Sequence, residues 1–390
     1  MRGIPTADLF PTDRPIKPEE MVGRAGDVRE ITEQLENGVN VVLAGPRRTG
    51  KTSVCDAAIA MLRARGYYTV TVDLFARCDA ADLAEGLVID AIANRRPAAR
   101  LLARVRDLAH SARDAATLTA TARLKAELGD DIELALTPGF GARDPQRALR
   151  YALELPQRIA LADGKRMIVF FDEFQEVAAR GQPFGDTDRL TKEMRAIFQR
   201  SDQVSYLFAG SIEHLMRDLF APQDRALSQF GSFRHLTPIT RSDWQHGLGE
   251  RFDKGACTID PSTLLRLVEL GRDHPRSTML IARETLRSAR MQEPAVAGAV
   301  ELDAGFQAAL AHDRLRHEQV LERIRLTRHA QTIAMRIARE QRPYPGLNAS
   351  QTQRALRALE LIGVAERSAR GEWTITDPLL GRYLADLPGA

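Results

Sequence analysis

Val41-Val42-Leu43-Ala44-Gly45-Pro46-Arg47-Arg48-Thr49-Gly50-Lys51-Thr52-Ser53 sets a glycine-framed loop between an apolar run and a helix-like segment, and the rest of the chain reads outward from it. The run Asn40 to Ala44 suits a buried strand, and Ser53 to Arg65 has helical character. Between them, Gly45-x-x-x-x-Gly50-Lys51-Thr52 has the spacing of a phosphate-binding loop. Its glycines let backbone N–H groups turn toward a di- or triphosphate, and the following helix N-terminus adds its dipole and unpaired donors. In this reading Lys51 reaches the β- and γ-phosphates and Thr52 sets its hydroxyl on Mg²⁺, with Pro46, Arg47, Arg48, Thr49 and Ser53 completing the cradle. A glycine-rich turn that binds nothing is the competing reading.

The 390 residues allow two or three domains, and the net charge of +3 is too small to argue for nucleic-acid binding by the whole chain. No apolar run approaches the roughly 18 residues of a membrane span, and the N-terminus lacks an apolar signal core, so a cytoplasmic protein without a membrane partner is expected. Cys55, Cys78 and Cys257 stand apart from one another, with no Cys-x-x-Cys, and read as small packed residues.

Upstream, Pro5, Pro11, Pro15 and Pro18 favour an extended arm over residues 1–20, lying on the surface or mobile. Val22-Gly23-Arg24 then forms either a turn that wraps an adenine ring or a plain entry to a helix over Gly26 to Leu35. Downstream, Tyr67 to Asp73 reads as a second strand, which with the loop and its helix makes a parallel βαβ unit. Asp79 caps a helix running to about Asn94. The interval 97–145 reads as a solvated helical insertion on the core, with a short strand or hairpin at Ile132 to Thr137.

After a helix from Pro145 to Ala162, the run from Lys165 to Phe171 suits a central strand, and Asp172-Glu173 stand at its C-terminal end, where parallel sheets present their ligands. Asp172 can hold Mg²⁺ through water, and Glu173 can orient and deprotonate the water that attacks a γ-phosphate. A helix-capping pair is the alternative. Ser211, where the strand Val204 to Gly210 stops, is a candidate for the γ-phosphate or the attacking water, against a bland Gly-Ser turn. A fifth strand is expected over Phe233 to Pro238. Arg225 or Arg234 could bring positive charge to a γ-phosphate, in this subunit or a neighbour; surface arginine competes for either.

Helical spacing over Arg241 to Glu250, Asp260 to Leu270 and Arg276 to Ser288 marks a second domain. Within it, His274-Pro275-Arg276 either aims a guanidinium at a phosphate or simply opens a helix. Helices over Leu326 to Gln341 and from a cap at Asn348 or Ser350 to Leu361, then two strands joined at 368–371 and a last helix to Leu384, describe a winged helix-turn-helix. Residues 322–390 carry eleven arginines against seven acids. Gln351, Gln353, Arg354 and Arg357 sit on the second helix and Arg370 on the wing, which permits duplex DNA as a partner. Protein docking and homo-oligomerisation are the other uses of such a module.

Together, Val-Gly-Arg, Gly-Pro-Arg-Arg-Thr-Gly-Lys-Thr-Ser, Phe-Asp-Glu-Phe-Gln-Glu, Ala-Gly-Ser and His-Pro-Arg, in that order, resemble the archaeal-type ATPase family, within the signal-transduction (STAND-like) P-loop ATPases related to AAA+ proteins. The resemblance spans about residues 21–385. It implies an α/β fold with a parallel sheet in the order 5-1-4-3-2, a helical lid and a C-terminal winged helix. The implied layout is an arm over 1–20, a core over 21–238, a lid over 239–315 and a winged helix over 316–390. It further implies ATP or ADP with Mg²⁺ as ligands, Lys51 and Thr52 in the loop, Asp172 on the metal, Glu173 on the water, Ser211 as a first sensor, and Pro275 with Arg276 over the nucleotide. The expected function is a slow ATP-hydrolysing switch that reports nucleotide state to DNA or a protein. The alternatives are a DNA-binding regulator or replication-like loader, and a scaffold that keeps ADP without hydrolysing it. Arg225 is the candidate arginine finger, without an obvious second basic residue beside it.

Overall fold

The computed structural model describes residues 4–12, 14, 16–94, 144–179, 181–343, 346, 348–367 and 372–388. The expected insertion with its strand at Ile132 to Thr137, the 368–371 link and Arg370 lie outside the described residues. Chain contacts divide the molecule into two compact units: Val28–Ala44 with Cys55–His235, and Met1–Asp27 with Gly45–Val54 and Leu236–Ala390.

The first unit is built on five strands: β1 (Val41–Ala44), β2 (Tyr68–Asp73), β3 (Met167–Asp172), β4 (Val204–Gly210) and β5 (Ser232–Arg234). They lie in the order β2-β3-β4-β1-β5 and every pairing is parallel, so the expected order holds. All residues of β1, β3 and β4 are buried, as continuous apolar runs in a sheet covered on both faces require. β5 is shorter than expected and ends at Arg234, well before Pro238, which has no N–H for a ladder. Asn40 fixes the height of β1: its side chain donates to the Phe230 carbonyl (3.0 Å) and accepts from Tyr206 N–H (2.9 Å), while its own carbonyl accepts from Ser232 N–H (2.8 Å). On one face, Phe171, Phe174, Phe198, Tyr206 and Phe208 form an aromatic cluster, with Phe174 and Phe208 at 4.7 Å and Phe198 and Tyr206 at 4.0 Å between ring centres. Cys55 is buried as expected, whereas Cys78 is exposed.

The second unit is helical. Helices Arg241–Lys254, Pro261–Gly271, Pro275–Ala289 and Ala299–His312 enclose Trp244, Leu248, Phe252, Leu280 and Leu302, all fully buried. Arg314–Arg325 follows, an element with little apolar signal because it buries only His317, Leu321 and Ile324. Helices Ala330–Ala338 and Ala349–Leu361, an antiparallel strand pair (Ala365–Arg367 with Trp373–Ile375) and a last helix Pro378–Ala385 share a core around Ile333, Leu359 and Leu384. The first of these starts later than the expected Leu326, because His329 sits in the left-handed region (φ 66°) and interrupts the turn. Asn348, rather than Ser350, caps the second through Gln351 N–H (2.8 Å).

The expectation of a surface or mobile arm needs correction at Leu9 to Pro11, which are buried, while the other described residues of 4–20 are exposed or half-buried. Thr6–Leu9 forms a helical turn and Phe10 is fully buried, its ring 5.4 Å from that of Phe252. Guanidiniums take up two backbone carbonyls of this segment: Arg251 Nε donates to the Leu9 carbonyl (3.0 Å) and Arg290 Nη1 to the Ile4 carbonyl (2.9 Å). The apolar Leu9-Phe10 pair is then free to enter the helical core. Among the described residues no helix is long and apolar enough to cross a membrane.

Candidate functional site

The glycine loop leaves β1 at Ala44 and enters the helix Lys51–Ala64. Gly45 and Gly50 have φ of 154° and 93°, the latter a conformation that a side chain would strain. Arg48 lies there too (φ 66°), a local strain of the kind that clusters at functional sites. Lys51 is buried, and its ammonium donates to the Pro46 carbonyl (2.5 Å), as does Thr49 Oγ1 (2.9 Å). Ser53 Oγ accepts from Ile16 N–H (3.2 Å), so the N-terminal arm reaches the loop helix.

Val22 is buried in the helical core and Gly23 turns with φ 64°. Arg24 braces the loop from below: Nη2 donates to the Thr49 carbonyl (3.2 Å) and Nη1 to Asp27 (3.1 Å) and to the Thr237 carbonyl. Asp27 in turn accepts from Thr237 N–H and Oγ1. Arg24 thus ties the Thr49 carbonyl of the loop to the Asp27–Thr237 pair.

In the sheet unit, Ala44 pairs with Gly210, and Phe171 with Phe208, so β1, β3 and β4 end along one edge. Asp172 ends β3, nearly buried, and its Oδ1 accepts from Glu173 N–H (2.9 Å). Glu173 takes a left-handed backbone (φ 48°), which sends the next residue, Phe174, down into the aromatic cluster while its own carboxylate stays at the edge. Glu173 Oε2 accepts from Ser211 Oγ (2.5 Å) and from Gln175 Nε2 (2.5 Å), and Gln175 Oε1 accepts from Ser211 N–H (3.1 Å). Asp172, Glu173 and Ser211, singled out separately in the sequence, are thus brought together. Gly210 makes room for this, since a Cβ there would come within 2.7 Å of Gln175 Oε1 and nearer still to Met216. Arg225 and Arg234 are not drawn in: Arg225 pairs with Asp188 (2.7 Å) and Arg234 with Glu30 (2.5 Å).

Pro275 opens its helix as the first residue after His274, whose side chain accepts from Ser277 N–H (3.2 Å). His274 also bonds the backbone of Arg47 in the loop. Ser277 Oγ donates to Asp377 Oδ1 (3.0 Å), Arg316 bridges Asp377 and Asp313 (2.6 Å to each), and Arg276 pairs with Asp313 (2.5 Å). Arg48 remains partly open to water, and desolvation, then the nearby Arg316 and Arg276 guanidiniums, push it down to about 10. Asp313, His317 and Asp377 are close enough to share a metal ion, but guanidiniums already occupy both carboxylates, which leaves no net negative charge for one.

Burial lowers His274 and takes His317 down to about 4, although Asp377 opposes both shifts. Histidines of the unfolded chain bind protons near pH 6.5, so between about 6.5 and 4 the unfolded state carries more protons and stability falls as pH drops. Burial pushes both carboxyls up, but Arg276 and Arg316 at Asp313, and His274 followed by Arg316 at Asp377, hold them below the usual carboxylate range, so they lose their contribution only under about pH 4. Unfolding in urea should show stability lower by about 2 kcal/mol at pH 5 than at pH 7.5, with a flatter profile in His317→Gln. An unchanged midpoint would contradict this.

The five-stranded parallel sheet and the loop that leaves β1 form an α/β fold shared with solved P-loop ATPase structures. The chain is similar to the Walker-type ATPase of Pyrococcus abyssi, with a TM-score of 0.66 at 17% identity over 96% of this chain and 99% of that one. It is also similar to the ORC2 protein of Aeropyrum pernix in its ADPNP–ADP complexes, with a TM-score of 0.56 at 14% identity over 96% and 95%. At these identities the likeness is one of fold. No family model matches the chain, and no curated protein matches it.

Sequence reasoning missed four participants. Gln175 stood in the quoted Asp-Glu-Phe-Gln stretch without a role, and Asp377 stood in an Asp-Pro pair that signals a helix start. Asp313 and Arg316 lie in a charge-rich stretch, Asp313 to Glu318, that carries no motif.

Proposed function

We propose that the chain is a magnesium-dependent ATPase working as a slow switch, in which a core (21–238) and lid (239–315) bind ATP and a winged helix (316–390) passes the nucleotide state to DNA or a protein partner. What supports this reading is the common sheet edge at which β1 hands over to the loop and at which Asp172, Glu173 and Ser211 converge. Lys51 would hold the β- and γ-phosphates, and the loop N–H groups would hold the rest of the chain of phosphates. The Thr52 hydroxyl and the nearly buried Asp172 carboxylate are hard oxygen donors that fit magnesium. Magnesium bound there would neutralise charge on the phosphate oxygens. Ser211 and Gln175 grip Oε2 of Glu173, so Oε1 is the oxygen that takes a proton from water as its oxygen attacks the γ-phosphorus, giving ADP and phosphate. Turnover is slow because Arg225 and Arg234 are held by surface carboxylates, and an arginine finger is worth about a thousandfold or more.

A second reading, a DNA-binding regulator or loader, is favoured by helix Ala349–Leu361: Gln353, Arg354 and Arg357 are exposed while Thr352, Ala355, Leu356 and Leu359 are buried. That exposed basic strip suits a duplex backbone or groove.

Phosphate release measured with and without duplex DNA, for the protein and for Lys51→Ala, separates the readings. The expected result is turnover lost in Lys51→Ala and indifferent to DNA. Stimulation by DNA that weakens with salt and in Arg354→Ala/Arg357→Ala moves the function to the second reading. No phosphate release, with ADP retained, overturns hydrolysis in favour of a scaffold.

A further inference from the structure

Arg276, the lid arginine expected at a phosphate, makes a two-pronged pair with Asp313: Nη1 to Oδ2 at 2.5 Å and Nη2 to Oδ1 at 2.9 Å. Both side chains are nearly closed to water, at 10% and 3% exposure. The same Oδ2 accepts a second guanidinium, Arg316 Nη2 at 2.6 Å, which also reaches Asp377 Oδ2 at 2.6 Å. Arg48 of the loop lies within the field of both Arg276 and Arg316. A carboxylate and a phosphate offer a guanidinium the same planar fork of acceptors, so near the loop they compete for it. A buried carboxylate stripped of its only cation is strongly unfavourable, but Asp313 has Arg316 in reserve.

We propose that Asp313 is the exchange partner of Arg276: it holds the lid arginine until the terminal phosphate of a nucleoside triphosphate takes it, and then relies on Arg316 alone. The proposal rests on the reading of the loop as an ATP site. It makes the preference for triphosphate over diphosphate a property of the Asp313–Arg276 pair, since a diphosphate lacks the γ-phosphate that would draw the arginine away. It also ties the exchange to the last helix. Arg316, when it becomes the sole partner of Asp313, is the same group that holds Asp377, whose Oδ1 caps that helix through Leu379 N–H (3.0 Å).

The test is equilibrium binding of ATPγS and ADP to the full chain, to Asp313→Asn, to Arg276→Gln and to the double variant, with Lys51→Ala as the control. Asp313→Asn should tighten ATPγS about tenfold and leave ADP unchanged, because the arginine no longer has to leave a rival anion. Arg276→Gln should erase the difference between the two ligands, and the double variant should behave as Arg276→Gln does. If Asp313→Asn does not fold, Asp313→Glu keeps the charge but spoils the paired geometry, and should shift ATPγS in the same direction by less. An unchanged ATPγS-to-ADP ratio, or a gain that persists without Arg276, overturns the exchange while Lys51-dependent binding leaves the ATP reading intact. Absence of Lys51-dependent binding overturns both.

Discussion

Glu173→Gln is expected to bind ATP with affinity within about threefold of the parent and to hydrolyse it about 100- to 10,000-fold more slowly. The substitution is nearly isosteric. Its amide oxygen can still accept from Ser211 Oγ, so the triangle with Gln175 and the position of Phe174 beneath it should persist. What is lost is the basic oxygen, and with it the acceptor for the water's proton. Single-turnover phosphate release, read beside equilibrium binding, checks this. Equal rates in the two proteins would remove Glu173 from the chemistry.

Phe10→Ala should destabilise the chain by about 3–5 kcal/mol, the usual loss when a fully buried aromatic ring is cut back. The ring meets Phe252 and belongs to the same core as Leu9, Trp244 and Leu248, so a cavity there touches several helices. The effect should extend to the loop. Ile16 N–H is bonded to Ser53 Oγ, and an arm released at Phe10 loses the fixed end that carries that contact. Urea unfolding and the KM for ATP together decide: a loss under about 1 kcal/mol would mean that the arm is held elsewhere.

The sheet was legible because its strands announce themselves locally. Val41 to Ala44 and Met167 to Phe171 are unbroken apolar runs, and the loop between β1 and its helix is a spaced motif. Asp172, Glu173 and Ser211 followed from where those strands stop. The arm was misread because four prolines dominate its composition, and the carbonyl partners that let Phe10 turn inward, Arg251 and Arg290, lie over two hundred residues away. The charge network around Asp313 was invisible for a similar reason. Arg276, Asp313, Arg316 and Asp377 are each ordinary charged residues in sequence, and only the packing of three helices makes them partners. Periodicity carries no information about which distant charges neutralise one another.

Asn40 stands at the far end of β1 from every reactive group, yet its amide sets how high that strand rides against both neighbours. Strand positions are quantised at about 3.3 Å, so any slip would carry Ala44, and the first glycine after it, a full residue out of step with Gly210. Hydrogen bonds to a phosphate tolerate only a few tenths of an ångström. If the sheet edge binds a nucleotide as proposed, its geometry is set from the opposite end of β1, and substituting Asn40 would look, in any assay of that edge, like damage with no visible cause.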